Sequence, residues 1–338
     1  MKRSSLILRF LTGIVLLAAV SMAEVLQSGG QAGSLWTVRD GAEIRVGRIG
    51  GEEIRVTLPP GATVRDLEPT AAGWVAAGRL PAPAGADLLI IEGTAAGIDL
   101  LPVPQRGPER YRGQPVLLLE HRQLVGLAWA AGNAPRELEI WASAWQDGEW
   151  VSPQLVSPVG PGSQVAPVGT VLEDGSWLLI WTAFDGLDDE IVWSRRAAGR
   201  WTRPEPIHAD NDVPDLSPDV APIDGGALAV WSWFDGNDYR LKTARWLEGG
   251  WQESAAFGAK GSGEPGLLRT DDGLLLLYQS VEPASWSVVD LDRAGSVRRT
   301  AMVFEETNQR PLLLPGETET GILRWPSRDR VLEWRNLP

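Results

Sequence analysis

The chain has 338 residues, no cysteine and a formal net charge of −13. The absence of cysteine excludes disulfide bonds and thiolate metal sites, and the acidic balance argues against nucleic acid or an anionic membrane as a partner. With 38 Gly, 25 Pro and 17 Trp, one closed all-β ring can account for the whole length, although length alone also permits two domains.

The first 23 residues have the features of a secretory signal peptide. Lys2 and Arg3 give a positive start, an apolar run covers residues 10–20, and residues 21–23 fit a small-x-small cleavage site. The apolar run is shorter than the roughly 20 residues of a membrane-spanning helix. We therefore expect cleavage after Ala23, export to the periplasm or the extracellular space, and no membrane association of the mature protein.

Residues 24–33 are small and polar and predict a linker. Three segments of alternating apolar and polar residues follow, and they predict strands at residues 34–40, 43–49 and 52–58. We expect the last of these to complete the blade at the C-terminus, so that residues 34–338 form one closed domain.

A unit of about 50 residues then repeats along the chain, which is the signature of a repeat architecture. In each unit a proline lies 13 or 14 residues before an aromatic residue: Pro60/Trp74, Pro115/Trp129, Pro167/Trp181, Pro218/Trp231, Pro265/Tyr278 and Pro311/Trp325. The units contain short segments rich in Val, Ile, Leu and Trp, which favour strands. Four strands in a unit of this length are typical of a propeller blade.

We therefore predict an all-β, six-bladed β-propeller of four-stranded blades. The two strands left over near the N-terminus favour seven blades as the alternative. Trp181 and Trp231 recur at the same place in successive second strands, and we expect them to pack between blades rather than to bind a ligand.

The turns between third and fourth strands share a further pattern. Ser143, Gly148 and Trp150 have the same spacing as Ser194, Gly199 and Trp201. This pattern resembles the Asp-box, or BNR repeat, of the sialidase-like propellers, over about residues 110–290. In that family the box is a structural turn, so the resemblance implies the fold. The Phe/Tyr-Arg-Ile-Pro motif of the family's catalytic arginine is absent, and the resemblance does not imply sialidase catalysis.

Other catalytic and metal-binding patterns are absent from the sequence. His121 and His208 are the only histidines, and no Gly-x-Ser-x-Gly motif accompanies either. The Asp-Gly turns do not match the spacing of calcium-binding loops and are explained by turn chemistry. We expect no metal and no cofactor, and we assign no catalytic residue.

Two columns of mostly polar residues precede the marker prolines, one and three residues upstream. Because side chains alternate along a strand, we expect both columns to face the mouth of the central channel. The candidate ligand-binding residues in these columns are Arg112, Gln114, Gln164, Asp215, Glu264 and Arg310. The arginines suit a carboxylate, and the acids suit sugar hydroxyls. The alternative is a channel mouth that is polar only because it is solvated.

These observations favour an exported, monomeric and non-catalytic propeller that binds a glycan, a peptide or a protein partner. The alternative is a glycan-active hydrolase of sialidase-like fold with atypical carboxylates. Acidic groups roughly 5–10 Å apart in the channel, one of them buried, would favour the enzyme.

Overall fold

The computed structural model describes residues 25–28, 35–40, 43–48, 53–83, 85–104, 110–134, 136–157, 162–184, 186–208, 213–253, 256–270, 272–282, 284–305, 312–315, 320–324 and 333–336. The expected signal peptide and Arg310 lie outside these residues. All regular structure in the described ranges is β-strand, and they contain no helix that is long and apolar enough to cross a membrane.

The described strands form six sheets. The second sheet consists of two antiparallel sets joined by one parallel pair, which gives seven sets that we number units 1 to 7. The strands of units 1 to 3 are β1 (Val25–Ser28), β2 (Leu35–Asp40), β3 (Glu43–Arg48), β4 (Glu53–Thr57); β5 (Thr63–Pro69), β6 (Gly73–Ala82), β7 (Gly85–Thr94), β8 (Gly97–Leu100); β9 (Tyr111–Glu120), β10 (Gln123–Gly132), β11 (Glu139–Gln146), β12 (Glu149–Trp150) and β13 (Gln154–Leu155).

The strands of units 4 and 5 are β14 (Gln164–Val171), β15 (Trp177–Phe184), β16 (Asp189–Ala197), β17 (Arg200–Trp201), β18 (Glu205–Pro206); β19 (Asp215–Ile223), β20 (Gly226–Phe234), β21 (Tyr239–Leu247) and β22 (Gly250–Glu253). The strands of units 6 and 7 are β23 (Gly263–Arg269), β24 (Gly273–Val281), β25 (Ala284–Asp292), β26 (Val297–Glu305); β27 (Leu312–Pro315), β28 (Thr320–Arg324) and β29 (Glu333–Asn336).

Each unit is a meander in which the first three or four strands pair in chain order. The short strands β13 and β18 add to the third strands β11 and β16, and one parallel pair, Ala86 with Tyr111, connects units 2 and 3. The first strands of successive units lie beside one another from β1 through β23, and β1 also contacts β27. The first strands therefore form the inner layer, with the later strands of each unit outside it.

The marker prolines correspond to units 2 to 7, and unit 1 contains the two strands that the sequence analysis left over, β2 and β3, together with β1 and β4. Within the segment expected to be a linker, β1 pairs with β2. The strand expected to complete the C-terminal blade, β4, pairs instead with β3. A hairpin between sequence neighbours closes a short loop, which costs less conformational entropy than pairing the two chain ends. The inner strands β1 and β27 bring the two ends together.

The first proline–aromatic pair is also out of register with the others. Trp74 lies near the start of β6 and pairs with Pro69, whereas Trp181 lies in the middle of β15. Trp74 corresponds instead to Trp177, which starts β15 and pairs with the end of β14. The longer spacing between Trp74 and Trp129 has this origin.

The hydrophobic core lies between units. Trp181 packs with residues of unit 3, and Trp231 packs with residues of unit 4. Both side chains are 0% exposed, so the expectation that they are core residues is confirmed.

The outer turns between third and fourth strands are alike in three units. In each, a residue with positive φ precedes a glycine with positive φ: Asp147-Gly148, Ala198-Gly199 and Glu248-Gly249. Two successive positive φ values define the tight hairpin turn that suits the twist of antiparallel strands. Beneath the first two turns, the hydroxyls of Ser143 and Ser194 donate to the carbonyl oxygens eight residues on, so the repeated serine has a structural role.

Candidate functional site

Four successive inner strands share a bulge at the residue before the marker proline. Gln114, Ala166, Ser217 and Glu264 have φ between 50° and 54°, in the left-handed region that is uncommon for residues other than glycine. At each bulge the register shifts, so that this residue and the proline together oppose one aromatic residue of the second strand. A bulge redirects side chains, and the simple alternation assumed for the two columns ends here.

Two carboxylates at equivalent positions connect neighbouring inner strands. Oδ2 of Asp66 in unit 2 accepts the N–H of Leu117 in unit 3 at 2.6 Å. Oδ2 of Asp219 in unit 5 accepts the N–H of Leu267 in unit 6 at 2.7 Å. Each carboxylate also accepts the N–H of the residue that follows it. Hydrogen bonds to an ionised acceptor are stronger than neutral ones, so these two side chains fasten the inner layer.

A third connection joins units 3 and 4. Oε1 of Gln114 accepts the N–H of Ala166 at 2.7 Å. Both residues are at the bulge, so the left-handed conformation of Ala166 directs its N–H away from the strand ladder and towards the preceding unit.

The inner strands of units 2 to 6 surround a cavity of about 1020 Å³. Its polar lining consists of Arg65, Asp66, Glu68, Glu120, His121, Arg122, Thr170, Glu173, Ser217, Asp219, Glu264 and Arg269. Six of these are carboxylates and three are arginines, and no phenylalanine, tyrosine or tryptophan lines the cavity among the residues that the structure describes. The volume is at the upper end of the range of about 300–1,000 Å³ for ligand pockets, and the wall is polar with an excess of negative charge.

The electrostatics of the cavity are dominated by its central carboxylates. Burial raises the pKa of Asp66 from 3.8 to about 6, against the lowering effect of the N–H groups of Leu117 and Leu67 and of the nearby Arg65. The charge of Asp219 raises it further. The two carboxylates therefore interact within one cavity, and Asp66 changes protonation close to neutral pH.

The structure separates the six predicted site residues. Glu264 lines the cavity and is exposed. Gln114 is occupied by its bond to Ala166 and is not among the lining residues. Arg310 lies outside the described residues. The other three, which precede the proline by three residues, are all buried in the packed units and do not line the cavity; they are Arg112, Gln164 and Asp215.

Two of these buried residues, Arg112 and Gln164, have hydrogen-bond partners inside the fold. The Arg112 guanidinium forms an ion pair with Asp87 at 2.5 Å and donates to the carbonyl oxygen of Pro104 at 2.7 Å. Oε1 of Gln164 accepts the indole N–H of Trp181 at 2.7 Å. The expectation that both columns share the face of the channel is corrected: the left-handed residue before the proline interrupts the alternation between them.

Asp215 belongs to a polar cluster at the junction of units 4 and 5. Nζ of Lys242 lies 3.0 Å from Nε2 of His208, 3.5 Å from Glu253 and 4.5 Å from the centre of the Trp233 ring. Burial raises the pKa of Asp215 to about 7, while Lys242 and the indole of Trp231 lower it and other acidic groups, Glu253 among them, raise it. The indole N–H faces this carboxylate, but neither carboxylate oxygen has a hydrogen bond of normal geometry.

Asp66 and Asp219, the carboxylates that connect the inner strands, were missed in the sequence analysis. Asp219 directly follows a marker proline, Pro218, and a search one residue downstream of the prolines would have found it. Asp66 has no such signal, because its unit has Arg65 at the bulge in place of the proline and its marker, Pro60, lies earlier.

Comparison with known proteins supports the fold. No family model and no curated protein matches the chain. Among solved structures, the chain is similar to the polysaccharide lyase Uly1 (TM-score 0.64, 9% identity, 95% of this chain and 91% of that one) and to a streptogramin B lyase (0.55, 12%, 90% and 91%).

A puromycin-hydrolysing peptidase of Mycobacterium tuberculosis gives a TM-score of 0.51 at 16% identity over 89% of this chain, which spans only 50% of that protein. Identities this low carry the fold alone. The all-β units and these neighbours together define a protein of β-propeller type.

Proposed function

We propose that this protein is an exported, non-catalytic β-propeller, related in its blade turns to the sialidase-like propellers, that binds a glycan segment in its central cavity. The cavity itself supports this proposal: about 1020 Å³ enclosed by five inner strands, with hydroxyl, carboxylate and guanidinium groups placed around it. Such groups accept and donate hydrogen bonds to sugar hydroxyls, and a cavity of this size holds several sugar rings.

The engagement of the central carboxylates favours binding over catalysis. Asp66 and Asp219 each accept two backbone N–H groups, one of them from the next unit. A catalytic acid or nucleophile must be free to approach the reacting atom, whereas these carboxylates are held by the wall that they stabilise.

A glycan-active hydrolase is the second candidate, and one observation favours it. Asp66 has a pKa of about 6 and interacts with a second carboxylate in the same cavity. A carboxylic acid that holds its proton near neutral pH is what glycoside hydrolysis requires of its general acid.

We further propose seven blades, a mature chain that starts at Glu24, and a monomer. The contacts of β1 with β5 and β27 support unit 1 as a blade of the ring. The positive start, the short apolar run and the small residues before Glu24 support export.

The mature protein should be screened on an oligosaccharide array, followed by calorimetry of the hits. We expect binding that weakens in Glu264→Gln and is unchanged in Glu248→Gln, a control on an outer turn. The same oligosaccharides should be incubated with the protein and assayed for new reducing ends. Binding without cleavage supports the binding function, whereas cleavage that Asp66→Asn abolishes supports the hydrolase. An absence of binding and of cleavage would contradict both.

A further inference from the structure

Among the inner strands of units 2 to 6, one of the four junctions lacks the side-chain connection that is found at the other three. Asp66 connects units 2 and 3, Gln114 connects units 3 and 4, and Asp219 connects units 5 and 6. Between units 4 and 5, Val168 takes the position of the two aspartates and Ala166 takes the position of Gln114. Neither side chain has a hydrogen-bond acceptor.

The backbone at this junction nevertheless keeps the same conformation. Ser217 has a φ of 54° and Ala166 a φ of 52°, and each opposes the central tryptophan of its second strand together with a proline. In Ala166 this conformation directs the N–H to the carboxamide of Gln114. Because Ser217 has the same conformation, we expect its N–H to point towards Ala166, whose methyl group cannot accept a hydrogen bond.

The cavity reaches this position. Its lining includes Ala166, Ser217 and Glu264 but leaves out Gln114, whose side chain is already used. Ser217 and Glu264 are both exposed. A ligand in the cavity can therefore meet the N–H and hydroxyl of Ser217 on one side and the carboxylate of Glu264 on the other.

The charges around this point decide which ligand fits. The cavity lining as a whole has six carboxylates, Asp219 and Glu264 among them, against three arginines. This excess of negative charge repels a carboxylate or sulfate group. A hydroxyl group suits the site, because it accepts from an N–H and donates to a carboxylate at the same time.

Resting on the proposed glycan-binding function, we infer that Ala166, Ser217 and Glu264 form a subsite for a hydroxyl group of a neutral sugar. The sugar oxygen accepts the N–H of Ser217 and replaces the connection that Gln114 makes one unit earlier. Its proton is donated to Glu264. The protein therefore selects neutral over acidic glycans.

Ala166→Gln tests the subsite, because it places at units 4 and 5 the carboxamide that Gln114 supplies at units 3 and 4. Gln114 itself has a φ of 50°, so glutamine is compatible with this backbone. The carboxamide should cap the Ser217 N–H and slow its hydrogen exchange, measured by NMR without ligand. Affinity for neutral hexasaccharides should fall at least about ten-fold, the effect of losing one or two hydrogen bonds. The control is Ala198→Gln, the same change at a left-handed position on an outer turn. It should alter neither the hydrogen exchange of Ser217 nor the affinity for neutral hexasaccharides.

Calorimetry with neutral and uronate hexasaccharides provides the second measurement. Wild type should bind the neutral series at least ten-fold more tightly, and Glu264→Gln should narrow that ratio. Equal affinity for uronates, or unchanged binding by Ala166→Gln, overturns the subsite while the glycan-binding function stands. Unchanged exchange of Ser217 in Ala166→Gln overturns it without any ligand. A wild type that binds neither series contradicts the proposed function and the subsite with it.

Discussion

Replacing Asp215 by asparagine is expected to stabilise the protein at pH 8. Asp215 is 0% exposed, and burial raises its pKa from 3.8 to about 7 in spite of Lys242. The equivalent position in unit 4 holds a neutral amide, Gln164, whose oxygen accepts the indole N–H of Trp181. Asparagine at 215 can meet the indole of Trp231 in the same way without carrying a buried charge.

The magnitude follows from the linkage between protonation and folding. A carboxyl group with a raised pKa binds its proton more tightly in the folded chain, so its ionisation lowers stability as the pH rises from 3.8 to 7. At about 1.36 kcal/mol per pKa unit, the full difference for Asp215 is about 4 kcal/mol. About 3 kcal/mol of it develops between pH 5 and pH 8. Lys242 keeps Glu253 and the Trp233 ring as partners in the variant.

Urea unfolding at both pH values measures this effect. Asp215→Asn should exceed wild type by a few kcal/mol at pH 8, and the difference should shrink towards pH 5. Asp66 has a pKa raised in the same direction, but it is present in both proteins and cancels in the comparison. Asp224→Asn, in the exposed turn after β19, should change stability by less than about 0.5 kcal/mol. A variant less stable than wild type at pH 8 would refute the reasoning, because Asp215 would then be a stabilising, ionised partner of Lys242.

Three further predictions concern the core, the inner layer and the N-terminus. Trp231→Ala should cost roughly 3–5 kcal/mol in urea unfolding through the cavity that it leaves between units 4 and 5; an unchanged midpoint would contradict that packing. Gln114→Ala should lower the free energy of unfolding by about 1–3 kcal/mol, because it leaves the N–H of Ala166 without an acceptor. Hydrogen exchange at that amide should accelerate. Mass spectrometry of the exported protein should find Glu24 as the first residue, and an intact N-terminus would contradict the signal peptide.

The sequence was informative about the strands and the core that the units have in common. Apolar segments at a period near 50 residues predicted the meander of each unit, and the tryptophans recurring in second strands predicted the inter-unit core. These features repeat because every unit packs against its neighbours through equivalent strands, so each copy adds to the periodic pattern in the sequence. Unit 1 was not recognised as a unit, because it has no proline–aromatic pair to mark it.

The candidate site was less predictable because it depends on backbone conformation. The left-handed residue before each proline breaks the alternation, so Arg112, Gln164 and Asp215 turn into the packed units while Glu264 remains at the cavity. Composition does not predict a left-handed glutamine, alanine, serine or glutamate in a strand. This conformation costs of order 1–3 kcal/mol and is imposed by the surrounding structure.

The differences between units carry the functional argument. Four bulges have the same backbone, but the side chains placed there are Gln114, Ala166, Ser217 and Glu264. The first fastens its neighbour, so its identity is explained by stability. Ala166 has no group that can make such a bond, while the strain of its left-handed backbone stays. A fold that only needed to close its ring would gain from glutamine or aspartate at every junction. The junction of units 4 and 5 lacks such an acceptor and borders the cavity. It is therefore the place where a ligand oxygen can supply the missing hydrogen-bond acceptor.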